Sequence, residues 1–353
     1  MGKGLWPFAD SLRKTARRSL HSLNVAIVTA VLLASAGPQT IAQTSEVSLM
    51  IGGMEKQIYL PAILAEKLGY FGDEGLNVHL LSEPAGVEAT DEMLAGAVQG
   101  VVGFYDHTID LQGLGKYTES VVQFSSAPGE VEMVSDALPN VRNMADLKGM
   151  RVGITDLGSS TDFLTEYLLG KAGLSFDTVS PDPIGAGDSL IAAIKQNRIQ
   201  AAMTTEPTVS RLIKLKLAHV MIDMRSEEGT RAVLGGAYPA ACLYLQTSWV
   251  DTHPETVQKL ANALVRALRF ISTHSAEQIA DIVPRDFLAG DRDLYVKALN
   301  DGKAMFTQDG RMMQGGPETV LSVLKQFNDN VRGKQIDLSR TFTNRFIDRV
   351  APD

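Results

Sequence analysis

Gly153-Ile154-Thr155-Asp156-Leu157-Gly158-Ser159-Ser160-Thr161 carries the chain from an apolar strand pattern, through glycine and small hydroxyl residues, into a helical one. The strand is expected at 151–154 and the helix at 160–172, where Gly173 ends it. A helix begins with unpaired backbone N–H groups and roughly half a positive charge. Gly158 lets the backbone approach closely, and Ser159, Ser160 and Thr161 add hydroxyl donors without bulk. Such a turn suits a small anion or the carbonyl of a neutral ligand. The plainer reading of the same residues is an ordinary Ser/Thr cap.

The grammar around this stretch repeats. Downstream, a strand is expected at 178–180 ahead of Pro181 and Pro183, a helix at 188–196 and a strand at 199–204. Upstream, strands are expected at 47–51, 77–81, 100–105, 120–124 and 130–135, with helices at 60–68 and 87–98. Leu60, Ile63, Leu64 and Leu68 form one stripe of the first of these helices. Strands separated by helices imply parallel pairing and an α/β architecture. The two units share one shape, which predicts two similar lobes. After a strand at 241–246 the pattern turns helical. Thr252-His253-Pro254-Glu255 opens a helix carrying Val257, Leu260, Leu264, Leu268 and Ile271 on one face. Further helices at 276–282, 292–305 and 317–328 have no strands of their own and should complete an earlier lobe.

The 353 residues are 44% hydrophobic and 21% charged, which is globular and long enough for about two domains. A single cysteine, Cys242, excludes a disulfide framework and any cysteine-based metal cluster. The net charge of −8 argues against nucleic acid as a partner. Lys3, Arg13, Lys14, Arg17 and Arg18 form a basic head, followed by an uncharged run at 23–36 that is short for a membrane span. Ala34-Ser35-Ala36 fits a cleavage site, with Ala42-Gln43 a second possibility. This order reads as an export signal over residues 1–43, removed after use. Five of the 33 Lys+Arg but one of the 41 Asp+Glu lie there, so the remaining chain carries −12. An acidic, freely diffusing protein of a Gram-negative periplasm is expected.

Ligands of open parallel sheets sit at strand ends. Phe104-Tyr105-Asp106-His107 and Thr205-Glu206-Pro207 close two strands, and Gln57, Tyr59 and Pro61 occupy the first strand-to-helix loop. Gly86 precedes the helix near Glu88 as a counterpart of Gly158. Asp106 and His107 equally suit a helix cap. The histidines at 21, 79, 107, 219, 253 and 274 have no metal-binding spacing. Gly113-Leu114-Gly115-Lys116-Tyr117 fails as a phosphate loop because position 110 is Asp and Tyr117 follows the lysine. Gly185-Ala186-Gly187 lacks a third glycine, and no nucleophile elbow occurs. No catalytic residue, metal or cofactor is expected.

Met54–Tyr59 followed by Leu60-Pro61-Ala62-Ile63-Leu64-Ala65-Glu66-Lys67-Leu68-Gly69-Tyr70-Phe71, then Gly75-Leu76-Asn77-Val78, resembles the opening of the nitrate/sulfonate/taurine-type substrate-binding proteins of ABC transporters. This group is also known as NMT1/THI5-like, of the type II periplasmic binding protein class. Asp146-Leu147-Lys148-Gly149-Met150-Arg151-Val152-Gly153, Gly158-Ser159-Ser160-Thr161, Ala172-Gly173-Leu174, Glu206-Pro207, Trp249-Val250 and His253-Pro254-Glu255 continue the resemblance. It implies two lobes, each a mixed, mostly parallel sheet flanked by helices, spanning 44–136 plus 241–353 and 137–240. Two crossing strands, 130–135 and 241–246, would join them around a hinged cleft. Ligand contacts would fall at Gln57, Tyr59, Gly86, Tyr105, Asp106, His107, Ser126, Gly158, Ser159, Ser160, Thr161 and Glu206. The implied activity is non-enzymatic: a monomer delivers a small polar or anionic solute to an ABC permease and its ATPase.

Alternatives are a receptor for a thiamine-pyrimidine-like heteroaromatic, a periplasmic sensor, or a pyrimidine synthase or chorismate dehydratase-like enzyme on the same fold. Gln99 and Gln200 stand where the group often has Asp, and Asn197 where glycine is usual. Lys56 is the only base in the candidate loops, against Glu55, Glu83, Asp106, Asp156, Asp188 and Glu206. A sulfonate would then lack an arginine fork. Those acids suit an amine-bearing or heteroaromatic ligand better.

Overall fold

The computed structural model describes residues 45–352, so the signal read at 1–43 lies outside the described residues. The first half runs β1 (Ser45–Ile51), α1 (Leu60–Lys67), β2 (Leu76–Ser82), α2 (Gly86–Leu94), β3 (Gly100–Phe104), α3 (Asp106–Gly113) and β4 (Thr118–Gln123). A second run follows: β5 (Glu130–Ser135), β6 (Arg151–Ile154), α4 (Ser160–Lys171), β7 (Ser180–Pro183), α5 (Gly187–Lys195), β8 (Ala201–Thr205), α6 (Thr208–Lys214), β9 (Ala218–Asp223) and α7 (Glu227–Leu234). The chain then forms β10 (Ala241–Gln246), α8 (Pro254–Thr273), α9 (Arg292–Gly302) and α10 (Gly316–Leu324). Among the described residues no helix is long and apolar enough to cross a membrane.

Two five-stranded mixed sheets result, ordered β2-β1-β3-β10-β4 and β7-β6-β8-β5-β9. They follow one plan. In each, the first three strands are parallel. The fourth is antiparallel to both neighbours. That fourth strand enters from the other sheet's part of the chain, so the chain passes between sheets at 124–129 and again at 235–240. The passing segments are joined: Ala240 N donates to Ser125 O at 3.3 Å, and Phe124 N and Ser125 N donate to Ala241 O, at the start of β10, at 2.7 and 3.1 Å. β5 belongs wholly to the second sheet, so the boundary between sheets falls before residue 130, whereas the sequence reading carries the first lobe to 136.

The plan extends to side chains. Gln99 Oε1 accepts from Ser48 N at 2.7 Å, and Gln200 Oε1 accepts from Arg151 N at 3.0 Å. Each glutamine closes the start of its sheet's central strand with an uncharged acceptor where a carboxylate was the expected residue.

The second sheet corrects one expectation. Its edge strand is 180–183 and includes Pro181 and Pro183, while 176–178 is a short 3₁₀ turn. β7 pairs only with β6, and an edge strand loses little where a proline lacks the N–H that would face solvent. α6, β9 and α7 fill a stretch whose periodicity the sequence reading left unassigned.

α8 lies on the first sheet's side against α1, with Val257, Leu260, Leu264, Leu268 and Ile271 buried. Pro254 and Glu255 occupy its first turn. In the second sheet Val131 and Met133 join a cluster with Leu190, Ile194, Val209 and Leu212. Strand alternation therefore turns Glu130 and Glu132 to the opposite face.

Candidate functional site

The C-terminal ends of the parallel strands in both sheets converge on one small chamber. From the first sheet, the loop after β1 brings Lys56 and Tyr59, the start of α2 brings Gly86, the end of β3 brings Phe104 and the first turn of α3 brings His107. From the second, the turn after β6 brings Thr155, Ser159, Ser160 and Thr161, while β5 and β8 bring Glu130 and Thr205. Its free volume is about 20 Å³, room for one water-sized group. A broader groove of about 680 Å³ lies beside it, lined by Glu55, Glu83, Glu88 and Asp156. Thr155 lines both spaces.

Glycine sets the approach of the elements. A Cβ on Gly52 would stand 2.9 Å from the Gly86 backbone, and one on Gly86 would stand 2.9 Å from His107 Nε2. The end of β1 and the start of α2 therefore touch backbone to backbone, and the His107 ring covers Gly86. His107 also packs against Phe163, with ring centroids 5.9 Å apart.

The hydroxyl turn is largely engaged with the protein itself. Thr161 Oγ1 accepts from Thr155 N at 2.9 Å and bonds the hydroxyls of Thr155 and Ser159 at 2.9 and 2.8 Å. Ser160 Oγ donates to Asp106 Oδ1 at 2.8 Å. Gly158, at φ +77°, donates its N–H to Asp162 Oδ2 at 2.8 Å. The chain's own carboxylate thus already occupies the helix start that suggested an anion site.

Charge in the chamber is buried. Asp106 is fully buried and also accepts from Tyr238 Oη at 3.2 Å; burial raises its pKa against the opposing pull of His107 and of those two hydroxyls. Lys56 Nζ donates to Gly52 O at 2.6 Å and Pro84 O at 3.0 Å, and burial lowers its pKa while Glu55, Glu130 and Glu88 oppose. Glu130 is 1% exposed, its Oε2 has no hydrogen-bond partner, and burial followed by Asp106 holds its pKa well above the carboxylate range. Behind it, both oxygens of Glu132 lack partners, and burial alone pushes that carboxyl up to about 8.

Of the residues singled out from the sequence, Tyr59, Gly86, His107, Ser159, Ser160 and Thr161 line the chamber. Asp106 stands directly behind Ser160. Five others do not line the chamber, Gly158 among them with its N–H given to Asp162 Oδ2. Gln57 Nε2 donates to Tyr295 O at 3.0 Å, Tyr105 Oη bonds the Thr341 hydroxyl, and Ser126 Oγ donates to Met305 O at 3.1 Å. Glu206 accepts from Ser210 N and Oγ, both at 3.0 Å, and from Arg225 Nη1 at 2.7 Å. The sequence reading did not place Glu130, Thr155, Thr205, Phe104 or Lys56 among the contacts. Glu130 and Glu132 left one signal: two carboxylates at alternate positions of an otherwise apolar strand.

The sequence pattern described as the NMT1-like family matches residues 42–284. A solved protein from Bordetella bronchiseptica is 33% identical, with a TM-score of 0.84 over 87% of this chain and 97% of that one. The alkanesulfonate-binding protein SsuA from Xanthomonas axonopodis, solved with MOPS, shares the fold at 15% identity and TM-score 0.66, covering 85% of this chain and 98% of its own. The periplasmic nitrate-binding protein NrtA from Synechocystis does so at 12% identity and TM-score 0.68, covering 87% and 86%. The chain spans about half the length of the curated relatives it matches at 26% identity. The fold is that of the periplasmic binding proteins of ABC import systems, and the chain belongs to the NMT1-like family.

Proposed function

We propose that this protein is the solute-capturing component of an ABC importer, closing over a small polar solute and passing it on unchanged to a permease and its ATPase. The observation that carries this reading is the joint construction of the chamber. Residues at strand ends of both sheets wall it, and Ser160 to Asp106 and Gln57 N to Glu206 O at 3.0 Å tie the two sides across it. A solute that replaces or reinforces such ties favours the closed arrangement. The segments 124–129 and 235–240 would bend as the hinge, with lobes of 44–129 plus 241–353 and of 130–240. In this reading residues 1–43 direct export and the protein works in the periplasm. The sulfonate and nitrate bound by structural relatives are the less favoured cargo, because no arginine lines the chamber and the hydroxyls of Thr155, Ser159, Ser160 and Thr161 are engaged within the protein.

A thermal-shift screen across taurine, an alkanesulfonate, nitrate and an aminopyrimidine tests this. A ligand at 100 times its Kd should add about 2.7 kcal/mol of stability. Gly86→Leu, which fills the chamber, should abolish the shift, and mass spectrometry should recover the compound unaltered. Conversion of the compound, or a shift indifferent to Gly86→Leu, would overturn the reading.

A further inference from the structure

Two oxygens in the chamber wall have nothing to accept from. Glu130 and Thr205 are register partners on adjacent strands, 1% and 5% exposed. Glu130 Oε2 and Thr205 Oγ1 both lack a hydrogen-bond partner, and both residues line the chamber. Buried polar atoms are nearly always paired in folded proteins, so two neighbouring exceptions in one cavity mark a place that a partner completes. The surrounding donors do not supply it. Ser160 gives its proton to Asp106, Thr161 is held by Thr155 and Ser159, and Lys56 directs two of its three protons to backbone carbonyls.

The groove outside makes the same demand. Glu55, Glu83, Glu88 and Asp156 line it, and no lysine or arginine does. Acids concentrated at a cleft mouth raise the local concentration of cations and repel anions. The chamber's room of about 20 Å³ fits an ammonium or the N–H edge of a ring, while a sulfonate would set its oxygens against Glu130.

We infer that the solute carries a basic or N–H-donating nitrogen, which seats against Glu130 with Thr205 as its second acceptor, while the rest of the molecule lies in the acid-rimmed groove. This rests on the chamber being the solute site. Burial, reinforced by Asp106 and Glu132 and opposed by Lys56, favours the protonated form of Glu130, and a nitrogen cation seated beside it shifts that balance back toward the carboxylate.

The full chain is incubated with an equimolar set of alkylamines, amidines, aminopyrimidines, alcohols, carboxylates and sulfonates of matched size. Free compound is removed, and native mass spectrometry reads what stays bound. The compounds retained should carry an N–H donor. Glu130→Gln should weaken them about 10- to 100-fold with the unfolding temperature maintained, as expected for loss of a charge-assisted bond. Thr205→Val, which deletes only an unbonded hydroxyl, should weaken them several-fold and carries the test if the Glu130 variant does not fold. Retention of sulfonates or carboxylates without an N–H, or equal retention of amines by Glu130→Gln, overturns the inference; loss of that retention in Gly86→Leu then leaves the solute-capture reading standing. Retention by none, or retention unaffected by Gly86→Leu, overturns that reading and the inference with it.

Discussion

Ser160 Oγ donates a 2.8 Å hydrogen bond to Asp106 Oδ1, joining the first turn of α4 to the first turn of α3. Each residue opens the helix that follows a parallel strand of its own sheet, β3 for Asp106 and β6 for Ser160. Asp106 has no exposed surface, so this bond is part of what keeps a buried carboxyl satisfied. Ser160→Ala leaves Tyr238 as its remaining side-chain partner. It should cost about 1–3 kcal/mol, the usual penalty for orphaning a buried polar group. Chemical denaturation would measure it; an unchanged midpoint and slope would show that the bond contributes nothing to closure.

Gly52 and Gly86 face one another, yet alanine should be tolerated at only one of them. A Cβ on Gly52 meets the Gly86 backbone at 2.9 Å, where nothing can rotate away, and overpacking of this kind costs about 1–3 kcal/mol. A Cβ on Gly86 meets the His107 ring, which can turn. Gly86→Ala should therefore stay within about 1 kcal/mol of the parent, helped by alanine's helical preference, while disturbing the chamber. Equal unfolding temperatures for the two variants would contradict this ordering.

Glu206 is held from three sides, by Ser210 N, by Ser210 Oγ and by Arg225, whose guanidinium also grips Asp223. Arg225→Met removes the compensating charge from a carboxylate that is 5% exposed. The expected loss is about 1–3 kcal/mol, below that of a fully buried pair because Arg225 retains some access to water. Solute affinity, read by calorimetry, should change little, since Glu206 does not line the chamber. A large affinity loss with stability intact would return Glu206 to the binding surface.

Glu132 sets a pH dependence whose sign follows from its raised pKa. Its carboxyl moves from the ordinary 4.5 up to about 8 through burial, with Glu130 the acid it acts on. Below about pH 4.5 both folded and unfolded chains hold the proton and the residue costs nothing. Between 4.5 and 8 the unfolded chain releases a proton that the folded chain keeps, so stability falls as pH rises. Above about 8 the full penalty stands. Glu132→Gln removes the titration while preserving shape. It should match the parent near pH 4.5 and exceed it at pH 8 by on the order of a few kcal/mol. Parallel curves of unfolding temperature against pH would sink this account.

Much of the fold was legible in local pattern. The apolar runs at 47–51, 100–105 and 151–154 and the stripe through Leu260, Leu264 and Leu268 announce their elements because alternation and helical periodicity are written into neighbouring residues. The edge strand with Pro181 and Pro183 was displaced in the reading because proline signals a breaker, and only its position at a sheet edge makes it harmless. Partnership was not legible: β5 could be named a strand from Val131 and Met133, but which sheet it joins depends on pairing with β8 and β9.

The candidate site divides in the same way. Residue order alone determined that glycine and hydroxyl turns would sit at strand ends, and that acids would outnumber bases there, because turn chemistry and charge belong to short segments. Tertiary structure decided which groups remain unbonded. Ser160 is engaged by Asp106, 54 positions away, and Glu206 by Arg225, while Glu130 and Thr205 meet across two strands with nothing between them to bond. A hydrogen bond needs its partner within about 3 Å, and only the folded chain brings residues so distant in sequence to that separation.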